Sequence, residues 1–200
     1  MKKPDVMHMD CEEGRLCRWT ARVMVGTLVL ALGVRLCAYV RSGDWSEPLQ
    51  HMMIEEVAIA QHLAAGHGYA SPYAMTPEEA MRMPSAHSPP GYPLLLSGLL
   101  SLCRADRAII AYRTAQILGG LAGAMAVALL AGLACRHAGR VAGITAGVLG
   151  SLLPPLVHRS AVLYDTPFVM LGMAMTMWVT GEKQSGTLRA SGSLGLLCGL

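Results

Sequence analysis

The run IIAYRTAQILGGLAGAMAVALLAGLAC, residues 109 to 135, carries a single charge, Arg113, close to its start. A helix that crosses the hydrocarbon core of a bilayer needs roughly 20 apolar residues, and this run exceeds that. A hydropathy window of roughly 19 residues finds further apolar spans. They cover 23 to 40, 141 to 157 and 166 to 180, and another starts near Leu188 and is still apolar at Leu200. An all-α integral membrane fold is expected, with its fifth span cut short, so the chain reads as a fragment. The composition agrees, because charged residues make up 14% of the chain against about 25% in soluble domains.

The formal charge of +3 and the lack of a long basic run argue against a nucleic-acid partner. Cys11, Cys17, Cys37, Cys103, Cys135 and Cys198 show no zinc-type spacing, and most lie in or beside apolar runs as small packing residues. The first apolar run follows a mixed-charge segment without an evident cleavage site, so it is expected to stay as a signal anchor. No Walker loop, HExxH or nucleophile elbow is present. The glycines of GGLAGAMAVALLAG and AGITAGVLG sit inside apolar spans and read as helix-packing surfaces.

Basic residues set the expected orientation. Lys2, Lys3, Arg15, Arg18 and Arg22 precede the first span, Arg136 and Arg140 separate the second and third, and Lys183 and Arg189 follow the fourth. One crossing per span puts all of these on one side, which the positive-inside rule makes cytoplasmic. The N-terminal segment 1 to 22 is then cytoplasmic. The long loop 41 to 108, with four Lys/Arg and seven Asp/Glu, and the short loop 158 to 165 lie outside. Arg35, near the outer end of the first span, is expected to snorkel toward the interface.

Loops as long as 41 to 108 are usually functional. A helix is expected over Ile54 to Ala65, opened by Glu55 and Glu56 and ended by the glycines of GHG at 66 to 68. The piece GYPLLLSGLLSLC, 91 to 103, is too short to cross and reads as an interfacial helix after Pro89 and Pro90. An acid pair in a first helical turn has a plain role, since carboxylates favour helix N-termini. His67 and His87 have an equally plain one as solvated loop residues.

The ordered set Glu55, Ala60, Leu63, Gly66, Gly68, Tyr69, Pro89, Pro90, Tyr92 and Pro93, followed by Arg113 in AYRTAQILGGL and Asp165 in LYDTPF, resembles the GT-C superfamily of membrane glycosyltransferases. The similarity is to the bacterial branch akin to protein mannosyltransferases and aminoarabinose transferases (glycosyltransferase family 39-like), and runs from about residue 20 to the end. Much of that superfamily has aspartate as its first acid, where this chain offers Glu55 and Glu56; the spacing to Gly66 favours Glu55.

The resemblance implies sugar transfer from a polyprenyl-phosphate donor to a glycan, lipid or protein acceptor at the outer face of a bacterial inner membrane. Glu55 or Glu56 would serve as base and Asp165 would orient the acceptor, with Glu55 and Asp165 able to share Mg²⁺ or Mn²⁺. Arg82, Arg113 or Arg159 would meet the donor phosphate, and His87 and Tyr92 complete the expected substrate contacts. Two other classes fit the same composition: a fragment of a polytopic transporter, and a non-catalytic membrane assembly protein.

Overall fold

The computed structural model describes residues 6–42, 55–71, 73, 76, 78–79, 89–103, 108–161 and 163–183, with side chains from Arg18 onward except at 42, 161, 182 and 183. Among them the chain is all-helical: α1 (Val6–Ser42), α2 (Glu55–Ala64), α3 (Gly91–Leu102), α4 (Ala108–Leu152), α5 (Pro154–Ala161) and α6 (Thr166–Lys183). Two of these helices are long and apolar enough to cross a membrane: α1 over Arg18–Arg41, with 24 residues, and α4, with 45. At 1.5 Å per residue the stretch in α1 rises about 36 Å, enough for a core of about 30 Å. The expected fifth span, from 188 to 200, lies outside the described residues.

α4 doubles back at a kink. Gly139 has φ 86° and ψ 177°, a backbone that side chains rarely adopt, and it divides the helix into arms 108–138 and 140–152. The glycines of the second arm lie against the first. A Cβ built on Gly143 would stand 2.6 Å from the Cβ of Cys135 and 2.9 Å from the carbonyl oxygen of Ala131, and one on Gly150 would stand 2.9 Å from Val127. These pairings run in opposite directions, so the arms form an antiparallel hairpin whose backbones touch because glycine permits it. The two sequence spans 109–135 and 141–157 thus fall on two separate helical arms, which turn at Gly139, between Arg136 and Arg140 as expected.

The second arm ends earlier than expected. Pro154 and Pro155 cannot continue the hydrogen-bond ladder, so α4 stops at Leu152 and α5 begins anew. The expected loop 158–165 is therefore helical through Ala161.

α1 fills the cleft of this hairpin. Met24 lies at Gly132, Arg35 at Gly123 and Tyr39 at Gly120, so α1 runs antiparallel to the first arm, while Thr27 lies against Gly147 of the second. α6 runs parallel to the first arm, with Phe168 near Gly119, Trp178 near Gly132 and Gly181 near His137. One end of this bundle collects cations on aromatic rings. Arg140 lies 3.7 Å from the Trp19 ring centroid, Arg22 lies 5.2 Å from it, and Arg136 lies 4.9 Å from that of Trp178. Cys135 is a buried free thiol packed with Val23 and Ala131, while Cys37 is exposed and Cys103 half-buried.

Candidate functional site

At the opposite end, α2 and α3 close over the start of α4. α2 stops in a Schellman arrangement: the His67 N–H donates to the His62 carbonyl at 2.9 Å, the Gly66 N–H to Leu63 at 3.1 Å, and Gly66 sits at φ 81°. Its buried face, Val57 and Ala60, joins Tyr92 and Leu96 of α3, Tyr112 and Ala115 of α4, and Leu163 in one apolar cluster. Gln61 Nε2 donates to the Tyr112 hydroxyl at 2.8 Å, fixing α2 on α4. The Tyr92 and Phe168 rings meet at 5.7 Å between centroids, which ties α3 to the start of α6.

The adjacent glutamates separate here. Glu55 accepts a hydrogen bond of 2.7 Å from the hydroxyl of Tyr73, an exposed loop residue whose pKa this bond raises. Glu56 lies one residue, or 100° of helical rotation, further round. Its charge bears instead on Tyr92, and so does that of Asp165. Burial raises the Tyr92 pKa most, with Glu56, Asp165 and Tyr39 adding to the effect. The charges of Glu56 and Asp165, on separate elements, thus both act on Tyr92, whereas the spacing to Gly66 favoured Glu55. Asp165 opens α6 with its backbone carbonyl, which accepts from Phe168 at 2.9 Å and Val169 at 3.1 Å. Its side chain takes a long contact of 3.5 Å from the Thr166 hydroxyl.

Tyr92 ties this end of the bundle to pH. Its folded pKa is raised above the usual value of about 10, so its neutral form contributes stability that is fully present below about pH 10. That contribution is lost as pH rises through the folded pKa. The thermal midpoint should fall as pH is raised past about 10, and Tyr92→Phe should flatten that part of the profile, as read by intrinsic fluorescence in a pH series.

Among the remaining expected site residues, Arg113 follows Tyr112 near the start of α4 and is half-buried. Arg159 is exposed and stacks 5.0 Å from the centroid of Tyr164, the residue before Asp165. Arg82 and His87 lie outside the described residues. Of the expected metal pair, Glu55 accepts from Tyr73 through one carboxylate oxygen and Asp165 stands at the start of α6. Among the described residues no group of three or more His, Cys, Asp or Glu side chains could hold a metal ion.

A second polar cluster escaped the sequence reading. Arg35 does not snorkel; it is 2% exposed and points into the bundle. Its Nε donates to Ser160 Oγ at 2.9 Å and an Nη to the Ala31 carbonyl at 3.1 Å. A Cβ on Gly123 would stand 3.2 Å from the guanidinium, so this glycine makes the room. The Tyr39 hydroxyl, one turn along α1, lies 2.7 Å from the Gln116 carbonyl and 2.6 Å from that of Ser160, and shares its proton between them. The Gln116 side-chain amide is buried with neither its nitrogen nor its oxygen hydrogen-bonded. The signal available in sequence was the i, i+4 pair Arg35 and Tyr39 facing a Gly-Gly-x-x-Gly stretch.

The Arg35 guanidinium is held by neutral acceptors, and a buried ion without a counter-charge is costly. The Ser160 hydroxyl keeps its own acceptor, the Leu156 carbonyl at 2.7 Å, if the arginine is removed. Arg35→Met should therefore leave the thermal midpoint of the detergent-solubilised protein unchanged or raised. A drop of more than about 2 kcal/mol would show that these hydrogen bonds outweigh the burial of the charge.

The comparisons return no match. No protein-family model, curated protein or solved structure is similar to this chain at a significant level. The functional reading therefore rests on the site, where the charges of two carboxylates on separate elements act on one buried tyrosine.

Proposed function

We propose that this chain belongs to a membrane glycosyltransferase that moves a sugar from a polyprenyl-phosphate donor to an acceptor hydroxyl or amine at the outer face of a bacterial inner membrane. The observation that carries this reading is the packing of α2, α3 and the start of α6 around Tyr92, which brings the charges of Glu56 and Asp165 to bear on it, at the end of the bundle remote from Trp19, Arg22 and Arg140. An orientation with the arginine-rich end in the cytoplasm agrees with the positive-inside rule and places the carboxylates outside.

The chemistry asks little of the protein. The acceptor oxygen or nitrogen attacks the anomeric carbon, the bond from that carbon to the phosphate oxygen breaks, and polyprenyl phosphate departs with the electron pair. Phosphate is a good leaving group and needs no strong general acid. The acceptor's proton goes to a positioned carboxylate, a role that typically contributes 10²–10⁴-fold. Glu56 takes that role and Asp165 orients the acceptor, while Tyr92, kept neutral, holds the two carboxylates' elements together.

The experiment expresses the protein in membranes and measures polyprenyl phosphate released from labelled polyprenyl-phosphate sugars. Release above that of membranes lacking the protein supports the proposal; no release from any pentose or hexose donor sinks it. The transporter reading draws on one observation, the buried Arg35, since charges inside a helical membrane bundle often mark a solute path. It predicts solute flux that Arg35→Met abolishes, with no donor turnover.

A further inference from the structure

The bundle has a groove of about 290 Å³ on its flank, between α1 and the second arm of α4. Its walls are Val23 and Leu30 on one side and Ile144 and Val148 on the other, with Gly26 opening the space between. Trp19 and Arg22 line it toward the start of α1, and Arg140, beside the groove, lies 3.7 Å from the Trp19 ring centroid. Leu30, Ile144 and Val148 are 38%, 44% and 40% exposed, so the groove faces outward rather than into the core.

An apolar trough ending in an indole and the Arg22 guanidinium, with Arg140 stacked beside that indole, matches one kind of molecule by both shape and charge. An acyl chain fills the trough, and an anionic headgroup phosphate meets Arg22 and Arg140. Indole rings favour the headgroup level of a bilayer, which sets Trp19 at the depth where that phosphate lies. A guanidinium resting on a ring face keeps its in-plane N–H groups for bidentate phosphate contact. We infer that this groove is a binding site for an anionic phospholipid of the leaflet at the arginine-rich end. The inference rests on the reading that the bundle crosses a membrane, and is independent of any transferase activity.

The test uses Trp19 as the reporter. The chain has three tryptophans, and the double variant Trp45→Phe/Trp178→Phe leaves Trp19 alone. The full chain is placed in bilayers of dibrominated phosphatidylglycerol diluted with phosphatidylcholine, and of the reverse pair, and bromine quenching gives the relative affinity at the groove. Flotation with the vesicles comes first, since a protein that does not float fails the membrane reading and not only this site.

Both lipids carry a phosphate, but choline offsets its charge in phosphatidylcholine, so phosphatidylglycerol should be preferred by about fivefold for each arginine at the headgroup. Arg22→Gln, with Arg22 exposed and a folded state checked by helicity and monodisperse elution, should cut the preference by about fivefold. Gly26→Leu adds a side chain where nothing lies within 4 Å of the Cβ position, and should reduce quenching by both lipids without changing a charge. Equal quenching by the two lipids in the parent protein would overturn the inference. So would a Trp19 that neither lipid quenches, because the groove would then be covered by another segment of this chain or by a second copy.

Discussion

Glu56→Gln is expected to lower turnover of the lipid-linked donor by about 10²-fold or more, and Glu55→Gln by a few-fold at most. The two variants make the same chemical change on neighbouring residues of one helical turn, so differences in expression or membrane insertion should largely cancel. Only Glu56 bears on the Tyr92 hydroxyl together with Asp165; Glu55 is occupied by Tyr73 at the surface. Steady-state kinetics in membranes with equal protein content separates them. The loss should fall on kcat more than on KM, because a base acts in the transition state and contributes little to ground-state binding. The opposite ranking would move the base to Glu55 and make Glu56 a helix-opening acid.

Gly143→Val should be the most damaging single change to the fold. The two arms of α4 pack by backbone approach at this position, where the first added carbon meets the Cys135 Cβ at 2.6 Å and the Ala131 carbonyl oxygen at 2.9 Å. A flexible side-chain tip could move aside; a helix backbone cannot without parting the arms. Overpacking of this kind costs about 3 kcal/mol, at the upper end of its usual range. For a chain of this size that corresponds to a fall of roughly 10 °C in the thermal midpoint. Gly98→Val, at an exposed glycine of α3 with nothing within 4 Å of its Cβ position, is the control and should shift the midpoint far less. Equal shifts in the two variants, read by thermal unfolding in detergent, would argue against the hairpin.

Much of the architecture could be read from residue order alone, for identifiable reasons. Long apolar runs mark the spanning lengths of α1 and α4, and the basic residues between the second and third runs mark the turn that Gly139 makes. The glycines of GHG mark the end of α2 because a positive φ is needed there. The break before α5 was also legible, since Pro154 and Pro155 cannot donate to the preceding turn, but the apolar run continued to Val157 and masked it.

The choice between Glu55 and Glu56 was not legible. Spacing along a helix says how far a residue lies from Gly66, whereas 100° of rotation decides which partner it faces, and that depends on how α2 sits on α3 and α6. Arg35 shows the same limit. A charge near the end of an apolar span can reach the interface or turn inward, and the notch at Gly123, far away in sequence, decides in favour of the interior.

Glu56 and Asp165 are proposed to act as one site across Tyr92. A double-mutant cycle on donor turnover tests this most directly, using Glu56→Gln, Asp165→Asn and the double variant in the same membranes. The double variant should lose little more activity than the worse single one, because residues acting as a unit are strongly non-additive. Losses that multiply, or single variants that turn over like the parent protein, would contradict it.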